Sequence, residues 1–147
     1  MDVDELLARE AVRDTIARYN HAGDRGRFDA MVECFMPDGV LVIHDTDRYE
    51  GRDALRAFFS GVRGTTDSSR TLTTLRHNVT NTLIECAPSG DAAVARSYFT
   101  VVTDIGVDHW GSYHDQLVPD AATGRWLFAS RSVRTDGYAP NSYFKQG

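Results

Sequence analysis

Cysteine is nearly missing from this chain, and the two that occur form no pattern: Cys34 and Cys86 belong neither to a C-x-x-C pair nor to a Cys/His ligand spacing. Both read as reduced packing residues, which suits a cytoplasmic protein. No apolar run is long enough to span a bilayer. The opening MDVDELLARE starts with acids and lacks the apolar centre of a signal or transit peptide. A formal charge of -5, with arginines scattered along the chain, leaves no basic stripe for a phosphate backbone, so nucleic acid is not an expected partner. There is no Gly-rich phosphate loop, no nucleophile elbow and no metal-ligand spacing, so neither a metal nor an organic cofactor is expected.

What is present describes one domain. The chain has 147 residues, 41% hydrophobic and 25% charged, with no repeat, low-complexity block or interdomain linker. That length buries roughly 70% of the surface of the unfolded chain, enough for one core with room for a pocket. From Val3 to about Tyr19, the residues Ala8, Val12, Ile16 and Tyr19 fall on one helical face. Phe28, Met31, Val32 and Phe35 mark a second helix, closed by MPDG at 36–39. VLVIH at 40–44 reads as a strand, and Leu55, Phe58, Phe59 and Val62 as a third helix closed at Gly64. After a polar link at 65–70, residues rich in Thr, Val and aromatics predict strands at 70–86, 92–104, 109–118 and 125–135, separated by turns at 87–91 and 119–125 and a looser connection at 104–111. Helices first and antiparallel strands later make an α+β fold, a curved, mostly antiparallel sheet with three N-terminal helices covering one face. Residues 1–136 form the domain, and the aromatic tail 137–147 is expected to pack as an arm.

One stretch carries more chemistry than a turn requires. RYNHAGDRGRFDAM places Tyr19, His21 and Asp24 within six residues at a helix end. Together with the helix start EGRDALRAFF and the late GSYHDQLV and GRWLFASRSVR segments, this stretch resembles the SnoaL-like branch of the nuclear transport factor 2 superfamily over residues 4 to 135. The resemblance implies a cone-shaped α+β barrel whose mouth lies between the helices and the concave face of the sheet. It does not fix a function, because that superfamily hosts dehydratases, isomerases, cyclases and non-catalytic binders. The site pattern is most similar to the scytalone dehydratase, bile acid 7α-dehydratase and lindane dehydrochlorinase group. Carried over by position, it implies Tyr19, Asp24 and His77 in LRHNVTN as catalytic residues. A second histidine of that pattern has two candidates here, His109 and His114, with no motif to choose between them.

These residue types suit acid-base work. An imidazole exchanges protons near neutral pH, and a carboxylate can set its tautomer and stabilise the imidazolium. His77 is thus the expected base, Asp24 its orienting partner and Tyr19 a hydrogen-bond donor to oxygen. The residues His44, Tyr49, Phe58, Phe99, Trp110 and Tyr113 are candidate cavity lining. Arg131 shares strand parity with Leu127, Ala129 and Val133 and is a candidate inward clamp for an anion or carbonyl. Ordinary readings stand beside these: a core tyrosine, a capping aspartate, a sheet histidine and a solvated His21. The expectation is a cofactor-independent lyase of the dehydratase type, or an isomerase, acting on a cyclic or polyketide-like substrate and assembling as a homo-oligomer, dimer or trimer. The alternatives are a polyketide-type cyclase, a ligand-binding module or a protein like a dioxygenase small subunit.

Overall fold

Asp2 starts the first helix by accepting the Glu5 N–H at 2.9 Å, satisfying one of the donors that every helix leaves open at its beginning. In the computed structural model, which describes residues 1–62 and 69–144, helix α1 spans Val3–Asp24. It is followed by α2 (Phe28–Val32), β1 (Phe35–Ile43), β2 (Asp47–Glu50) and α3 (Arg52–Val62). The remaining strands are β3 (Leu75–Cys86), β4 (Ala93–Thr103), β5 (Gly106–Asp120) and β6 (Arg125–Tyr138). The closure at Gly64 and most of the expected 65–70 link fall outside the described residues. None of the described helices is long and apolar enough to cross a membrane.

The six strands form one sheet in the order β2-β1-β6-β5-β4-β3, antiparallel except where β1 runs parallel to β6. This is the expected α+β architecture, with four corrections. Helix α1 continues to Asp24, so Tyr19, His21 and Asp24 lie on its last turns and are not part of a turn. Gly23 is tolerated inside the helix because a Cβ there would stand 3.2 Å from Met31 Cε, and the gap admits Met31. The second helix is one short turn, and MPDG lies inside β1, where the register against β6 shifts between Phe35 and Val40. Pro37 needs no ladder partner in such an irregularity. Finally, β2 was not expected, since His44 (φ 52°) and Asp45 (φ 60°) make its turn in the left-handed conformation usually signalled by glycine. That turn carries His44 away from the concave face.

Irregularities also set which side chains face inward. In β3 the register shifts between Thr80 and Leu83, where Asn81 takes φ 52°. Inward-facing positions are therefore odd before it (Leu75, His77, Val79) and even after it (Ile84), as expected of a bulge. In β5, His109 pairs with Val101 while Val107 pairs with Val102, which leaves Asp108 as the extra residue. The strand β3 starts later than expected because Asp104 accepts the N–H groups of Thr73 and Thr74, at 3.1 and 2.5 Å, and ties 73–74 to a side chain.

The core lies between the helices and the concave face. The rings of Tyr19, Phe35, Phe59 and Phe128 meet at 5.2–6.4 Å between centroids, each pair worth about 0.5–1.5 kcal/mol beyond its buried area. Among them sits a fully buried ion pair: Arg131 donates through Nε to Asp115 Oδ1 at 2.9 Å and through Nη2 to Oδ2 at 3.2 Å. Its guanidinium lies 3.6 Å from the Tyr113 ring centroid, 4.4 Å from that of Tyr19 and 4.6 Å from that of Phe128. The outer sheet face leaves Leu83, Tyr98 and Trp110 exposed.

The pair yields a stability test. Removing one buried partner strands the other charge, so Arg131→Leu should cost about 3–5 kcal/mol in urea unfolding. The double variant Arg131→Leu/Asp115→Leu should be more stable than Arg131→Leu alone.

Candidate active site

The end of α1 is fastened to the third strand by one carboxylate. Asp24 accepts the His77 main-chain N–H at 3.2 and 3.1 Å and stands 2.6 Å from His77 Nδ1. The imidazole is 23% exposed and the carboxylate 11%. With Nδ1–H donated to Asp24, neutral His77 carries a bare Nε2. Asp24 therefore does more than close a turn.

Across the sheet, His77 pairs with Val101, and Val101 pairs with His109. The two histidines stand in one row of the concave face, two strand spacings or roughly 10 Å apart. His109 has its own carboxylate, with Nδ1 2.7 Å from Asp108 Oδ1. On a regular strand Asp108 would face opposite to its neighbour, and the bulge is what brings it within reach. Asp108 is fully buried and takes three more hydrogen bonds: Ser142 Oγ at 2.5 Å, the Tyr143 N–H at 2.9 Å and Thr103 Oγ1 at 3.0 Å. Burial pushes its carboxyl up, but these donors outweigh burial and hold it below the usual carboxylate value. For His109 burial wins: it lowers the imidazole against the pull of Asp108, with the charge of His77 acting in the same direction as burial. His109 is thus held neutral near pH 7. His114 is exposed on the outer face, which leaves His109 as the second histidine of the cavity.

Between the two rings lies a cavity of about 210 Å³, lined by Tyr19, Asn20, Phe58, Tyr113 and Phe144 as well as by both histidines. Burial pushes the Tyr19 phenol up to about 12 although Arg131 pulls it down, so its proton stays on at neutral pH. Tyr113 Oη donates to Asn20 Oδ1 at 3.4 Å, and Asn20 Nδ2 donates to the Ile16 carbonyl at 2.9 Å.

Other candidates lie elsewhere. Arg131 points inward as its parity suggests, but it sits behind the cavity wall, bound to Asp115; Nη1 alone lacks a hydrogen-bond partner. Burial pushes the Asp115 carboxyl up to about 6 against the pull of Arg131. Phe99 lies 4.8 Å from Tyr113, supporting the wall, while Tyr49 backs Phe58 at 4.4 Å. Trp110 falls between inward-facing His109 and Gly111, so it points outward and covers Gly137, where a Cβ would stand 2.5 Å from its ring. His21 is exposed, with Nδ1 3.0 Å from Arg25 Nη1. Among the described residues no group of three or more His, Cys, Asp or Glu is arranged to hold a metal ion. The sequence reading missed Asp108, Asn20 and Phe144; the adjacent Asp-His in GVDHWG is a usable signal only if a bulge is anticipated there.

A family model for the SnoaL-like domain matches residues 4–132. No curated protein matches the chain. Among solved structures, a protein from Catenulispora acidiphila is 30% identical over 90% of this chain and 94% of its own, with a TM-score of 0.75. A Catenulispora acidiphila structure in complex with S-DNPA is also 30% identical, over 87% and 92% of the two chains, with a TM-score of 0.73. At fold level, LinA superposes with a TM-score of 0.77 at 18% identity over 99% of each chain.

The depressed Asp108 carboxyl sets a pH window. Its contribution to holding the Ser142 and Tyr143 segment is complete above the ordinary value of 3.8 and is lost as the pH falls through its lower folded value. The amide resonance of Tyr143, bonded to Asp108, should report a titration midpoint below 3.8 in an NMR pH series.

Proposed function

The chain belongs to the SnoaL-like domain family, and from that premise we propose that it is a cofactor-independent lyase of the dehydratase type, or an isomerase, acting on a small cyclic hydroxy-carbonyl compound. The observation that carries this reading is the 2.6 Å contact of Asp24 with His77 on the wall of a largely apolar cavity that opens to solvent. A capped turn or a sheet histidine requires no such cavity.

The chemistry follows from the groups in place. His77 Nε2 takes the proton from the carbon next to the substrate carbonyl, and Asp24 stabilises the imidazolium that forms. Tyr19, protonated at neutral pH, donates a hydrogen bond to the carbonyl oxygen as negative charge gathers there. The bond from the β-carbon to its hydroxyl then breaks, and His77 returns its proton to that oxygen, which leaves as water. One water is lost and no electrons are exchanged. Isomerisation uses the same first step and returns the proton to a different carbon. His109, neutral with its Nδ1–H directed at Asp108, accepts a hydrogen bond from a second substrate hydroxyl on the far side. The 30% identical Catenulispora acidiphila structure solved with S-DNPA supports a small-molecule occupant for this fold.

The test is a panel of cyclic β-hydroxyketones followed by enone absorbance. His77→Ala should lower turnover by on the order of 10²–10⁴, and Asp24→Asn by a similar factor. The double variant should lose little more than His77→Ala, because the two residues act as a unit. Near-normal turnover in both single variants would return the chain to the ligand-binding reading.

A further inference from the structure

The chain end after β6 is fastened at several points. Ala139 donates its N–H to the Asp108 carbonyl at 2.7 Å, and the Ser142 hydroxyl and Tyr143 N–H bind the Asp108 carboxylate. From the other side, Arg70 Nη1 donates to the Asn141 carbonyl at 2.8 Å while its guanidinium lies 3.7 Å from the centroid of the Tyr143 ring. The Tyr143 hydroxyl donates to the Thr71 carbonyl at 3.2 Å. Phe144, whose N–H donates to Ser142 Oγ at 3.0 Å, places its ring 5.1 Å from the His109 ring and lines the cavity.

Two of these contacts converge on one carboxylate. Asp108 Oδ1 lies within hydrogen-bond distance of both Ser142 Oγ and His109 Nδ1, and Oδ2 binds the Tyr143 N–H together with Thr103. A buried carboxylate is costly unless its oxygens are occupied, and two of the four donors here come from the chain end. If the segment left, Asp108 would keep only Thr103 and His109, and His109 would lose the cover of Phe144.

We propose that residues 139–144 are a positioning element of the site: Ser142 and the main chain of Tyr143 act through Asp108 to fix the tautomer and ring orientation of His109, so that docking of the chain end completes the surroundings of this histidine. Its consequence for turnover rests on the dehydratase reading, whereas its effect on His109 does not. The groups facing His109 are Asp108 beneath it, His77 with Asp24 behind it, Tyr138 stacked at 5.5 Å, Phe99 at 6.2 Å and Phe144. Asp108 and His77 are the charge-bearing ones among them whose fields bear on its ring.

The experiment is an NMR titration of the histidine rings in the full chain, with the His109 signals assigned by their loss in His109→Gln. Ser142→Ala removes the competitor for Asp108 Oδ1 and loosens the Phe144 cover, and both changes should move the His109 midpoint up from its wild-type position. Asp108→Asn removes the charge that supports the imidazolium and should move the midpoint down. Ser142→Thr keeps the hydroxyl and should hold the wild-type value. Where turnover is measurable, the acid side of the kcat/KM profile, which His77 as the base also shapes, should carry a step that follows the Ser142→Ala shift of His109. A lower Tm for Ser142→Ala with an unmoved His109 midpoint would make the segment a structural plug and overturn the proposal. That reading needs no substrate, so it is independent of whether the chain dehydrates anything.

Discussion

The carboxylate of Asp24 is the point at which the fold and the site become one structure. The strand β3 lies at the edge of the sheet, where main-chain donors lack a neighbouring strand. Asp24 takes up one of them, the N–H of His77, and holds the imidazole of the same residue. A charged acceptor on both bonds is stronger than a neutral one. The end of α1 is thereby fixed against the sheet, and Tyr19 and Asn20, one turn earlier, are carried to the cavity wall. A residue serving only the histidine would need no main-chain bond, and one serving only the edge would need no ring contact.

Polar groups elsewhere in the cone obey a stricter rule. Arg131 and Asp115 are fully enclosed, and their charges persist because each meets the other in a bidentate pair with aromatic faces around the guanidinium. The pair occupies the floor of the core, and the cavity lies above it, bounded by Tyr19 and Tyr113. The inward parity of Arg131 is thus met by a partner on β5 that strand alternation along β6 does not reveal.

The legible parts of the fold were those governed by period. The stripe of α1, the α3 stripe of Leu55 and Phe59 and the long strands follow from spacing alone. What escaped was set by irregularity. MPDG has the composition of a helix stop yet lies within β1, because a bulged strand tolerates proline. The β2 hairpin turns through His44 and Asp45, neither of them a glycine. Trp110 looked like cavity lining because its parity could not be set without knowing where β5 begins. Within the candidate site, Tyr19, Asp24 and His77 were named from the family pattern, and their meeting depends on α1 reaching Asp24, five residues past its expected end. Asp108 had no signal of its own, since alternation would send it to the opposite face from His109.

The two histidine and aspartate pairs are consequently built in opposite ways. Asp24 and His77 are 53 positions apart and meet because two elements pack, so any loosening of α1 against β3 separates them. Asp108 and His109 are adjacent and meet because the strand is broken, at the cost of regular pairing at one residue of the ladder. A local pair of this kind survives movement of the helices, but its carboxylate must be satisfied in place. Thr103 supplies one donor from across the turn, and the chain end supplies two. The bulge therefore has a second consequence: by turning Asp108 out of the sheet it creates a buried acceptor site that Ser142 and Tyr143 fill. The same local break that gives His109 a carboxylate also gives residues 139–144 a place to dock.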